Sequence, residues 1–103
     1  MLTSAPVLTE AVYFLREDEL EIDPLFQLLE RGALRLEFDV STHWPRIRTL
    51  MARYEQMDIA DASIVVMSEL HARSQVLTMD RTDFSMYRRN DRQTIAFVAP
   101  PTG

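Results

Sequence analysis

The chain has 103 residues, 47% of them hydrophobic and 26% charged, which is one domain's length with enough apolar content for a packed core and too much for a disordered tail. The absence of cysteine excludes disulfides, thiolate metal sites and a cysteine nucleophile, and it fits a reducing cytoplasm. Sixteen acids face eleven bases, all of them Arg, for a net charge of −5, so the chain does not grip phosphates by bulk charge. It either reaches them through a metal held by carboxylates with local Arg support or simply carries an acidic surface.

The pattern predicts elements in chain order. Met1 to Pro6 has neither the basic region nor the apolar core of a secretory signal, and no apolar run approaches the about 20 residues needed to cross a bilayer. Leu2–Ser4 reads as a strand stub. Ser4 can cap a first helix that tolerates Pro6 in its first turn. Val7, Leu8, Ala11, Val12, Phe14 and Leu15 give that helix an apolar face, and the acidic run from Glu17 to Glu21 marks its exit. Asp23-Pro24 starts a second helix running to Arg31, and Gly32 ends it.

Leu34, Leu36 and Phe38 alternate with Arg35, Glu37 and Asp39, the period of a strand with one buried face. Ser41 or Thr42 can cap a third helix, whose apolar positions are Trp44, Ile47, Leu50, Met51 and Tyr54. A fourth helix opens at Asp58 and is apolar nearly all round from Ile59 to Leu70, so it must be covered on most sides. Val76–Met79 reads as a buried strand, Arg81–Tyr87 as a short helical turn and Thr94–Val98 as a last strand. No repeat, linker or domain boundary interrupts residues 1–103. Strands alternating with helix pairs predict an α/β sandwich with a mainly parallel sheet, whose working residues belong at the carboxyl ends of the strands.

Three carboxylates stand out. Glu10 flanks the apolar stripe of the first helix and is either a snorkelling surface residue or an inward-pointing ligand. Asp61 lies in the first turn of the most apolar helix, where with Asp58 it also suits the helix start and its dipole. Asp80 ends a buried strand and can equally cap the following turn. If the three met at one point they would repel one another and favour a divalent cation. His43 and His71 have no ligand partner at helical spacing. There is no glycine-rich phosphate loop and no G-x-S-x-G elbow.

Three stretches carry a resemblance. Thr3-Ser4-Ala5-Pro6-Val7-Leu8-Thr9-Glu10 resembles the second strand and following helix of PIN domains. Met57-Asp58-Ile59-Ala60-Asp61-Ala62 is similar to the family's Asp-x-Ala-Asp-Ala helix start. Val76-Leu77-Thr78-Met79-Asp80-Arg81-Thr82-Asp83-Phe84 resembles its Leu-Thr-x-Asp-x-x-Phe strand end. The resemblance covers nearly the whole chain and points to VapC-type toxins and similar small PIN proteins. It implies a three-layer α/β/α sandwich and Mg²⁺- or Mn²⁺-dependent hydrolysis of RNA in the cytoplasm, as the toxin of a toxin–antitoxin pair. By the same resemblance Glu10, Asp61 and Asp80 are the acidic ligands, with Asp83 an accessory, and Ser4 and Thr78 are polar neighbours. Arg81, Arg88, Arg89 and Arg92 either hold phosphates or form a solvated basic surface.

Family members begin with a hydrophobic strand ending in Asp, and this chain begins after that point. The expectation is therefore a gap in the sheet, closed by moving the Leu2–Ser4 stub, by a second copy forming a homo-oligomer, or by a strand from another protein such as an antitoxin. Self-association is the favoured of the three. The competing reading is an inactive PIN remnant acting as a protein-interaction module.

Overall fold

The computed structural model describes residues 1–79 and 81–99, for residues 81–83 the backbone alone. Elements follow in the order β1 (Leu2–Thr3), α1 (Ala5–Glu17), α2 (Asp23–Glu30), β2 (Arg35–Leu36), α3 (Val40–Arg53), α4 (Ile59–Leu70), β3 (Val76–Leu77), α5 (Arg81–Met86), β4 (Arg88–Arg89), β5 (Gln93–Thr94) and β6 (Phe97–Val98). The main sheet has the order β2-β1-β3-β6, and every pairing in it is parallel.

The expected gap is closed by β1 itself. Leu2 stands opposite Arg35 on one side and Val76 on the other. Its N–H donates to the Gln75 carbonyl at 2.9 Å, and the Thr3 hydroxyl extends that seam by donating to the Leu77 carbonyl at 3.2 Å. The backbone of β1 is thus bonded to both neighbours within one chain.

Side chains alternate across this sheet as the pleat requires. Leu2 and Val76 enter a large core with Leu50, Ile64, Val65, Met67 and Tyr87 under α3 and α4. Met1 and Leu77 join a smaller cluster with Ala11, Leu25 and Leu34 under α1 and α2. That second face stays partly open: Leu15, Leu25, Leu28, Leu77, Met79 and Val98 line an apolar groove of about 340 Å³. α4 is buried from Ala60 to Ser68, as its all-round apolar sequence demands, because α1, α3, β1, β3 and β4 surround it.

Several boundaries differ from the sequence reading. Helix α3 is capped by Asp39, not by Ser41 or Thr42: its carboxylate accepts the Ser41 N–H at 3.0 Å and both neighbouring hydroxyls. A carboxylate wins because it accepts all three donors at once. Asp23 lies inside α2, whose N-cap is Ile22. Trp44, expected on the apolar face of α3, is 55% exposed. The run Thr94–Val98 is not one strand. Thr94 pairs antiparallel with Arg88 in a separate two-stranded sheet, while Phe97 and Val98 join the main one. The hairpin turns at Asn90 and Asp91, both at positive φ (51° and 60°), a conformation these two residue types tolerate best after glycine. Among the described residues no helix is long and apolar enough to cross a membrane.

Candidate functional site

Two helices and two strands bring their polar ends together at the carboxyl edge of the sheet. The chain leaves β1 at Ser4, which caps α1 by accepting the Val7 N–H at 3.4 Å. The same hydroxyl lies 2.7 Å from that of Ser63 in α4. Ser63 donates its single proton to the Ala60 carbonyl at 2.6 Å, so Ser4 must donate to Ser63. Both serines are fully buried, and this pair ties the start of α1 to the start of α4.

Asp61 lies two residues before Ser63 in α4. It is 8% exposed, deeper than a first-turn carboxylate needs to be for capping alone. Asp58 and Asp61 form a reciprocal capping box, with the Asp61 N–H donating to Asp58 Oδ1 at 2.8 Å and the Asp58 N–H reaching Asp61 Oδ2 at 3.4 Å. The capping role read from the sequence is therefore real. A second donor arrives from far along the chain: the Tyr87 hydroxyl also points at Asp61 Oδ2, at 3.4 Å. Tyr87 is fully buried, its ring edge-on to those of Tyr54 and Phe84 with centroids 4.9 Å away in each case. Two negative residues in the first turn of α4 also gain from the helix dipole.

Thr78 follows β3, is buried, and donates its backbone N–H to the Val98 carbonyl at 3.0 Å. Ser4 and Thr78 thus both lie at the carboxyl edge. Glu10 is half-buried on α1, about 9 Å further along the helix axis than Ser4 at 1.5 Å per residue. Asp80 lies outside the described residues, as do the side chains of Arg81 and Asp83. Arg88 donates to the carbonyls of Ser85 and Tyr87 at 2.9 Å, and Arg89 to that of Ser68 at 3.4 Å. Both guanidinium groups thus bond the protein's own backbone. His43 stacks on Phe38, and His71 caps the end of α4.

Among the described residues no three His, Asp or Glu side chains are grouped closely enough to hold a metal ion. The donor chemistry of Glu10, Asp61 and Asp80 nevertheless fits a hard divalent cation, since all three offer carboxylate oxygens and none offers sulfur or imidazole. The sequence pattern gives no sign that the Tyr87 hydroxyl lies near Asp61 or that the Ser63 hydroxyl meets Ser4. Tyr87 reaches Asp61 across 26 residues, and no local spacing signals that approach.

A family model for the PIN domain matches residues 1–90. Comparisons with curated proteins and with solved structures find no match.

Proposed function

The chain belongs to the PIN domain family, a family of nucleases, and from that premise we propose that it is a divalent-cation-dependent endoribonuclease. The observation that carries the proposal is Asp61. It is a carboxylate buried at the carboxyl edge of a parallel sheet and approached by the Asp58 N–H and the Tyr87 hydroxyl, each at 3.4 Å. Parallel α/β sheets place their working groups at that edge.

In this reading Glu10, Asp61 and Asp80 hold Mg²⁺ or Mn²⁺, with Asp83 as an accessory. When bound, the cation supplies Lewis acidity at phosphoryl oxygens and water of lowered pKa. The protein's share is to fix the acceptor oxygens. The capping box holds the Asp61 carboxylate against the first turn of α4. The Ser4–Ser63 hydroxyl pair holds α1, and with it Glu10, at a set distance from that turn. Arg81 is the candidate for phosphate contact. A toxin role, with RNA as substrate and an antitoxin protein or a second copy as partner, belongs to the same proposal.

The test is cleavage of a mixed RNA pool by the full chain with Mn²⁺ or Mg²⁺. Cleavage should stop on chelation, return when the metal is restored, and fall at least about 100-fold in Asp61→Asn. Cleavage that survives chelation, or an Asp61→Asn variant as active as the parent, would overturn the reading. Growth arrest on expression, absent for Asp61→Asn, checks the toxin role.

A further inference from the structure

We propose that Tyr87 is a positioning residue for Asp61, its phenol fixing the orientation in which that carboxylate meets a divalent cation. The inference rests on the reading of Asp61 as a ligand. It draws on three features. Tyr87 is fully buried although it follows a six-residue helix and opens a surface hairpin. Its ring is wedged between Tyr54 and Phe84 at 4.9 Å from each, which leaves the hydroxyl little freedom of direction. The hydroxyl is directed at Asp61 Oδ2, the same oxygen that the Asp58 N–H approaches.

Two donors on one oxygen set the plane of a carboxylate. The N–H comes from the helix's own start and would be present in any helix with this capping box. The phenol comes from another part of the fold, so it reports tertiary structure to the site. The hairpin that follows Tyr87 is itself anchored. The Asn90 N–H donates to Glu69 Oε2 at 2.5 Å, and Asp91 accepts from Arg46 and Arg53 at 3.1 Å each. Tyr87 is therefore held from both sides, by α5 before it and by the clamped turn after it. Partners that orient a metal-binding carboxylate typically change metal affinity 10–100-fold when removed.

The experiment measures Mn²⁺ affinity of the full chain by electron paramagnetic resonance, with thermal unfolding followed in parallel. Tyr87→Phe keeps the ring and removes the hydroxyl. It should bind Mn²⁺ about 10-fold more weakly while still unfolding cooperatively. Tyr13→Phe, at an exposed position of α1, should bind like the parent. Unchanged affinity in a folded Tyr87→Phe, with binding lost in Asp61→Asn, overturns the positioning role and leaves the site reading intact. Parent-like binding by Asp61→Asn overturns both. If Tyr87→Phe does not fold, a Tyr13→Phe/Tyr54→Phe variant leaves Tyr87 as the sole tyrosine of the chain's three. Mn²⁺ should then perturb its ultraviolet absorption, and a spectrum unmoved at saturating Mn²⁺ overturns the proposal.

Discussion

At the N-terminal end of α4, Asp61 is held by a backbone N–H and a phenol; about 12 Å further along the axis, Glu69 is held by a guanidinium. The Arg46–Glu69 pair is bidentate, at 2.9 and 2.7 Å, and the Asn90 N–H adds a third donor. Electrostatics explains the difference. A negative charge in the first turn is favoured by the helix dipole, while one in the last turn opposes it. Glu69, with only 11% of its side chain exposed, therefore needs a cation to be tolerated. Its hydrogen bonds in turn raise the Arg46 pKa above its ordinary value, so the guanidinium stays charged at every accessible pH. One end of the helix thus uses a carboxylate to pin a hairpin, and the other uses one to cap its own first turn.

Breaking the clamped end should have the largest effect on stability. Arg46→Met keeps most of the apolar stem and strands Glu69 without its cation. The pair is neither fully buried nor fully exposed, so a loss of about 2 kcal/mol is expected, between the values typical of the two extremes. Urea unfolding measures it. The double variant Arg46→Met/Glu69→Met should recover most of that loss, because it removes the stranded charge. Because the pair also anchors the turn that follows Tyr87, Mn²⁺ affinity should fall in the double variant, by less than the about 10-fold expected of Tyr87→Phe. Affinity equal to the parent's would show that the turn does not hold Tyr87 and that the two ends act independently.

A smaller effect is expected at the other end. Ser4→Ala removes the cap of α1 and the donor to Ser63, for a loss of about 1 kcal/mol. In a double-mutant cycle with Ser63→Ala the coupling should be about 1 kcal/mol, the net worth of one buried hydrogen bond. Additive effects would mean that the 2.7 Å contact does not tie the two helices.

The smallest effect concerns Asp39, the exposed cap of α3. Hydrogen bonds from the Ser41 and Thr42 side chains and the Ser41 N–H lower its pKa below the ordinary carboxylate value of 3.8. A carboxyl with a depressed folded-state pKa contributes stability that is complete above its unfolded value and is lost as pH falls through the folded one. The stability difference between the parent and Asp39→Ala should therefore be constant near neutrality and shrink below pH 3.8. A difference that persists undiminished in acid would mean the cap acts through geometry and not charge.

Legibility followed the range of the interactions. The helix starts at Ser4 and Asp58 were readable because a cap and its partners lie within three residues. The third cap is ambiguous in sequence because Asp39, Ser41 and Thr42 are all capable acceptors, and only the observed backbone selects Asp39. Spacing alone points Trp44 inward, yet α3 buries Ile47 and Leu50 against α4 and turns Trp44 out. The hairpin was invisible as such. Its turn carries Asn90 and Asp91 without glycine, and its strands are two residues long.

By itself the sequence determined the α/β class, the burial of α4, the capping box at Asp58 and Asp61, and the motif order that marks a PIN domain. Each of these is a matter of period, of local hydrogen bonds, or of residues in short runs. Only the tertiary structure decided that the stub at Leu2–Thr3 bonds to both β2 and β3, that Thr94 and Phe97 belong to different sheets, and that Tyr87 and Ser4 meet the first turn of α4. Apart from the hairpin pairing of Thr94 with Arg88, those contacts join residues 21 to 74 positions apart. Which distant groups meet is settled by how the whole chain closes its core and satisfies its buried donors, and no window of sequence carries that information.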